Sequence, residues 1–222
     1  MARGSKEAAS EGASVSAMLR YASRTGTRRN LDALRGAGWR LMISATGVHR
    51  SEGFAYAIDN GAWTAFQKKE PWNRDAFERL VDSHGEAADF IVVPDIVMGG
   101  IHSLRFSESW LLRLSRVGPR LLIAVQDGMV NQDIRPLLDV GTGIFVGGST
   151  DWKLLTMGRW ADLARECGSY CHVGRVNSRI RIRMCARFGV DSFDGSSVSR
   201  FAKNLAGLEE AAAFWSAQTS LL

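Results

Sequence analysis

Short apolar runs alternate with longer amphipathic stretches along most of this chain. Phe90-Ile-Val-Val-Pro94 and Leu121-Leu-Ile-Ala-Val125 are apolar at every position, the pattern of strands buried on both faces. Similar runs at Leu41–Ser44, Ala55–Ile58, Gly143–Val146, Tyr170–Val173 and Val190–Phe193 predict further strands. Between them, Asn73–Ser83 starts polar and sets Phe77, Leu80 and Val81 at helical spacing. Ser107–Val117, Asn131–Leu138, Met157–Glu166, Ser178–Phe188 and Gly207–Gln218 also read as helices. Ala17–Arg40 mixes apolar and basic residues and is expected to be partly helical, with a second helix opening at Asn30. Residues 1–16, rich in Ala, Ser, Gly and Glu, show no periodicity and read as a disordered tail.

Continuous apolar strands alternating with helices predict a parallel sheet covered on both faces. Six or seven such units fit a (β/α) TIM-like barrel, complete or degenerate, as a single domain over residues 17–222. The first strand-to-helix turn lacks GxGxxG, which removes the dinucleotide-binding alternative. In a barrel, the residues just after each strand line one mouth, where active sites sit. Here they are Asp59, Asp95, Gln126, Gly147, Gly148, Gly174, Arg175 and Asp194. Any one of these, Asp194-Gly-Ser-Ser for instance, reads alone as turn chemistry. Three carboxylates and an amide at one mouth predict an active site instead.

Composition narrows the class. At 222 residues with 45% hydrophobic and 23% charged positions, the chain matches a soluble globular domain with a substantial core. It has no apolar run of about 18 residues and no signal-peptide h-region. Three cysteines make no even disulfide framework, so a reducing, cytoplasmic setting is expected, a host cytoplasm if the chain is phage-encoded. Cys167-x3-Cys171-His172 hints at a metal, but neither a CxxC pair nor a second clustered histidine accompanies it, and no metal is expected. The net charge of +5 matters mainly for its placement. Arg175, Arg179, Arg181, Arg183 and Arg187 crowd just ahead of Asp194, as a polyanion-binding segment would.

Five of these strand-end motifs, in order, resemble the tRNA-guanine transglycosylase family, particularly its short phage-type 7-deazaguanine DNA transglycosylases. Ile58-Asp-Asn-Gly61 is similar to the family's Asp-Ser-Gly-Gly loop, and Asp95 follows a strand where the family places a base-reading aspartate. Ala124-Val-Gln-Asp-Gly128 is similar to Val-Gln-Gly-Gly, and Gly143-Ile-Phe-Val-Gly-Gly148 to Gly-Leu-Ala-Val-Gly-Glu. Phe193-Asp-Gly-Ser-Ser-Val-Ser-Arg200 resembles Phe-Asp-Cys-Val-Leu-Pro-Thr-Arg, which carries the nucleophilic aspartate and an arginine six residues later.

The resemblance implies a covalent aspartyl-glycosyl intermediate on Asp194, acid–base work by Asp59, and base recognition by Asp95, Gln126, Gly143, Gly147 and Gly148. Arg175, Arg179, Arg181, Arg183 and Arg200 are then expected to meet nucleic-acid phosphates. The family's cysteine-rich zinc module has no counterpart after Asp194, which points to DNA rather than tRNA as the polymer. Gly148 stands where the family has a glutamate that accommodates an aminomethyl group, which favours an uncharged 7-substituent such as cyano on the free 7-deazaguanine partner. Three readings stay open beside this one: an RNA-directed transglycosylase, a glycosidase using Asp59 and Asp194 as its carboxylate pair, and a non-catalytic nucleotide-binding barrel.

Overall fold

Eight parallel strands close into a barrel in chain order, with β1 (Leu19–Ser23) hydrogen-bonded to β8 (Ser192–Gly195) at the seam. Between them run β2 (Arg40–Ser44), β3 (Tyr56–Asp59), β4 (Phe90–Val92), β5 (Arg120–Val125), β6 (Thr142–Val146) and β7 (Cys171–Val173). The helices are α1 (Arg28–Gly36), α2 (Ala62–Lys68), α3 (Arg74–His84), α4 (Ile101–Leu114), α5 (Asn131–Ile134), α6 (Thr150–Glu166), α7 (Arg179–Arg187) and α8 (Ser197–Arg200), with a 3-10 turn at Arg135–Leu137. This computed structural model describes residues 18–24, 27–200 and 204–211, so the tail expected at 1–16 lies outside the described residues. The closing helix expected at Gly207–Gln218 is described only over 205–211.

The barrel is therefore complete, with one more strand than the apolar runs announce. The extra strand is β1, in the segment expected to be partly helical, where the helix expected to open at Asn30 is α1. The apolar count of β1 is low because Tyr21 points into the barrel while Arg20 reaches outward to Glu209 at 2.7 Å. Elsewhere the predicted elements recur with shifted ends. Helix α4 begins at Ile101 rather than Ser107, and Pro136 confines α5 to one turn before the chain tightens. At α3 the start is set by Asn73, whose side chain accepts the Ala76 N–H at 2.9 Å. Among the described residues, no helix is long and apolar enough to cross a membrane.

Alternation along the strands splits the core into two layers. Tyr21, Met42, Ala57, Phe90, Val92 and Leu122 fill the barrel interior. Their neighbours Leu41, Ile43, Ile58, Ile91 and Ile123 face outward, against Leu34, Phe77, Leu80 and Trp160 of the surrounding helices. Each such burial stabilises by roughly 1.5–3 kcal/mol. The N-terminal end of the barrel is plugged: the Tyr21 hydroxyl donates to Asp89 at 3.0 Å, and Arg40 pairs with the same carboxylate. Gly143 belongs to this floor. A Cβ there would lie 2.3 Å from the Tyr170 carbonyl and 2.9 Å from Leu122. It sits three residues, about 10 Å, from the C-terminal end of β6. The expected role of Gly143 in base binding is thus corrected; it is glycine because the floor has no room for a side chain.

Candidate active site

At the C-terminal ends of the strands the barrel opens into a cavity of about 790 Å³, within the size range of sites that enclose small ligands. Asp59, Asp95, Gln126, Gly147, Gly148, Arg175 and Asp194 all line it, so seven of the residues assigned to the mouth do converge. Each is delivered by the inward phase of its strand or by the turn that follows. Burial, then the nearby charge of Asp194 and that of Asp95, pushes the Asp59 carboxyl up to about 6, although the Ser44 hydroxyl and the Gly61 N–H donate to it. Asp95 is likewise raised to about 6 by burial.

Asp95 is held from two sides. Its Oδ1 accepts from Asn60 Nδ2 at 2.8 Å and its Oδ2 from Gln126 Nε2 at 2.6 Å. Asn60 is fixed in turn, donating to the Val93 carbonyl at 2.8 Å and accepting from the Ala62 N–H at 2.8 Å. Gln126 has partners of its own. Its Oε1 accepts from the Gly99 N–H at 3.1 Å, and its Nε2 also reaches Ser103 Oγ at 3.1 Å, with only 2% of the residue exposed. The carbonyl expected to read a base edge thus already accepts one N–H, and the amide nitrogen braces Asp95. Gln126→Leu should keep the fold but leave Asp95 half-braced, weakening binding of a base ligand by roughly 1–3 kcal/mol in calorimetric titration.

Asp194 accepts hydrogen bonds on both oxygens. The Arg175 backbone N–H reaches Oδ1 at 3.2 Å, and His172 Nε2 lies 3.1 Å from Oδ2. Gly174 makes this approach possible, since a Cβ there would lie 2.5 Å from the Phe145 ring and 3.3 Å from Asp194 Oδ2. Behind the same turn, Lys153 of α6 is 3% exposed and donates to the Gly174 carbonyl. Burial, then the Arg175 charge, lowers the Lys153 ammonium to about 7. The Arg175 side chain crosses the mouth. Its guanidinium lies over the Trp63 ring, 4.1 Å from the centroid, and donates to the Gly148 carbonyl. Gly148 itself has φ +69, and a Cβ would lie 2.6 Å from Asp127 Oδ2 and 2.8 Å from Trp152. No larger residue fits that turn, which Asp127 secures by accepting from Ser149 N at 2.7 Å and Ser149 Oγ at 2.6 Å.

The other arginines are placed differently. Arg179, Arg181 and Arg183 ride on α7 and do not line the cavity. Arg179 is exposed and lies 3.8 Å from Glu210. Arg181 is half-buried, close enough for its charge to act on Lys153 and Arg175. The backbone of Arg200 ends α8, and its side chain lies outside the described residues.

The Cys167-x3-Cys171-His172 segment separates on folding. Cys171 faces the outer layer and His172 the barrel interior, because adjacent strand residues point to opposite faces. Burial raises both the Cys171 and Cys185 thiols, the latter to about 12. Among the described residues no group of three or more His, Cys, Asp or Glu is arranged to hold a metal ion.

Trp63 and Lys153 have no place among the residues expected at the mouth, and His172 enters the sequence only as part of the Cys167-x3-Cys171-His172 metal hint. Trp63 follows the Asp59-Asn60-Gly61 turn closely enough to reach the mouth. Lys153 shares the spacing of Met157, Trp160 and Ala164, which marks the buried face of α6. His172 has the same strand phase as Gly174, one of the residues assigned to the mouth. The chain matches no protein-family profile and no curated protein sequence.

Proposed function

We propose that this chain is a base-exchange transglycosylase that replaces guanine in DNA with a free 7-deazaguanine, by way of a sugar covalently held on Asp194. The observation that carries the reading is one cavity in which Asp194 receives an N–H donor on each oxygen while neighbouring Asp59 titrates near 6. That arrangement supplies a nucleophile and a separate proton carrier. The Asp194 carboxylate attacks C1′, the C1′–N9 bond breaks, and the departing guanine takes a proton from Asp59. The incoming base returns a proton to Asp59 as its nitrogen attacks C1′ and expels Asp194. Two inversions leave the sugar configuration unchanged.

Recognition of a flat heterocycle fits the remaining lining. Asp95 offers acceptor capacity for a donor edge, and the Trp63 ring already carries a planar guanidinium on its face. Guanine and the Arg175 guanidinium are both flat and donor-rich, so a base can take that place once Arg175 swings aside. The crowded Gly148 turn supports an uncharged 7-substituent, because the chain cannot present a carboxylate from that position. A base in a stacked duplex cannot enter such a cavity, so the substrate presents it flipped or unpaired.

DNA as the polymer rests on the likeness of these loops to the DNA-directed members of the resembled family. The test is release of labelled guanine from matched DNA and tRNA substrates supplied with 7-cyano-7-deazaguanine. Exchange into DNA is expected, weakening steeply with salt because phosphate contacts release counterions. Exchange into tRNA alone would transfer the same chemistry to RNA, and exchange into neither would remove the reading.

A further inference from the structure

His172 belongs to the one sequence motif that the proposed chemistry leaves unused. It is fully buried and boxed by aromatic rings. Phe145 stacks on it at 4.9 Å and 21°, Phe90 lies at 5.1 Å and Tyr21 at 5.8 Å between ring centroids. Both ring nitrogens are engaged: Nδ1 lies 2.7 Å from Ser192 Oγ and Nε2 3.1 Å from Asp194 Oδ2. A carboxylate only accepts, so Nε2 must carry the proton and Nδ1 must accept from the Ser192 hydroxyl. The hydrogen bonds thus run in one direction, from Ser192 through His172 to Asp194.

We infer that His172, as the neutral Nε2–H tautomer locked by Ser192, is a positioning residue that fixes the carboxylate plane of Asp194 for attack. This rests on Asp194 being the nucleophile. An aspartate free to rotate loses alignment with the anomeric carbon, whereas N–H donors on both oxygens from rigid elements hold one orientation. Neutrality matters as much as geometry. An imidazolium would hold the carboxylate in an ion pair and blunt its attack. It would also be stranded in the aromatic box once the ester formed and the negative charge left. Burial lowers the tendency of His172 to protonate, in keeping with this arrangement. Whichever oxygen bonds to C1′, the other keeps an N–H donor through the covalent intermediate.

The tautomer is read by long-range proton–nitrogen NMR on imidazole-labelled protein. The chain has four histidines, so His172→Phe assigns the signal. A neutral Nε2–H ring at neutral pH is expected, with its Nδ1 resonance displaced by Ser192→Ala. An Nδ1–H tautomer, or an imidazolium at neutral pH, would overturn the assignment whether or not the protein exchanges bases. The second measurement is single-turnover guanine release. His172→Phe retains the stack on Phe145 but loses the donor, so the rate should fall by about 100-fold with base affinity changed less than about threefold. His172→Gln, which can still donate, should recover most of that loss. A folded His172→Phe protein with wild-type turnover would overturn the role. Were that variant unable to fold, a wild-type rate in Ser192→Ala and a His172→Gln no faster than His172→Ala would do so. Guanine release by none of them, wild type included, would instead remove the transglycosylase reading and leave the tautomer result standing.

Discussion

Asp194→Asn should abolish base exchange while leaving the barrel folded. The substitution is nearly isosteric and leaves the backbone pairing of β8 intact, and among the described residues the Asp194 side chain hydrogen-bonds to the Arg175 N–H and His172. Its loss removes the only group proposed to bond to the sugar, so the residual rate should sit at least ~10³-fold below wild type. The charge change has a second consequence. Asp194 is one of the causes that raise Asp59, so Asp59 should titrate lower in the variant. The measurements are exchange of labelled guanine and a carboxyl NMR titration of Asp59. Exchange persisting in Asp194→Asn would remove the nucleophile. Asp191, the nearest other carboxylate in sequence, is no substitute, because its Oδ2 accepts the Cys171 N–H at 2.7 Å on the far side of β7 from the mouth.

Asp59 should give the second largest effect, and it should appear in both rate and stability. A carboxyl near 6 must be protonated to release guanine and ionised to accept the incoming proton. Guanine release measured without acceptor should therefore fall above about pH 6, the second half-reaction should fall below it, and complete exchange should peak between. Asp59→Asn should cost ~10²–10⁴ in rate. The stability effect has the opposite sign. The folded carboxyl binds its proton more tightly than the ordinary value of 3.8, so above about pH 6 the fold bears a buried charge that the unfolded chain hydrates freely. As the pH falls from about 6 towards 4, the folded state takes up a proton that the unfolded chain still lacks, and that cost disappears. Asp59→Asn should thus stabilise the protein at pH 7.5 by on the order of 2 kcal/mol. The gain should vanish near pH 4. A variant as stable as wild type at both pH values, with an unchanged rate profile, would contradict the assignment.

The sequence revealed the barrel wherever burial is uniform along a strand. β4 and the Leu121–Val125 stretch of β5 face side chains on both surfaces, so every position there is apolar and the run is visible without context. β1 hides because its outward Arg20 is matched by Glu209, nearly the whole chain away, a pairing no local window contains. Helix α2 hides because it is one short stretch launched from Gly61 at φ +80. The carboxylates were legible by recurrence: one aspartate after a strand reads as turn chemistry, but Asp59, Asp95 and Asp194 all fall at the same end of the barrel. Their partners were not. Gln126 is visible at a strand end, but its bonds to Gly99, Ser103 and Asp95 are not. Gly143 and Gly147 look equivalent in sequence, yet one plugs the floor and the other lines the mouth. His172 was obscured by its neighbouring cysteines, although strand alternation already separates it from Cys171.

The central claim is a covalent bond between Asp194 and the sugar. It is tested most directly by intact-mass analysis of the protein mixed with guanine-containing DNA, with the released base removed and no acceptor added. The account predicts an adduct equal to the mass of protein plus DNA less one guanine, mapped by peptide digestion to Asp194 and discharged by 7-cyano-7-deazaguanine. Guanine release without any such adduct, or an adduct mapped to Asp59, would contradict it.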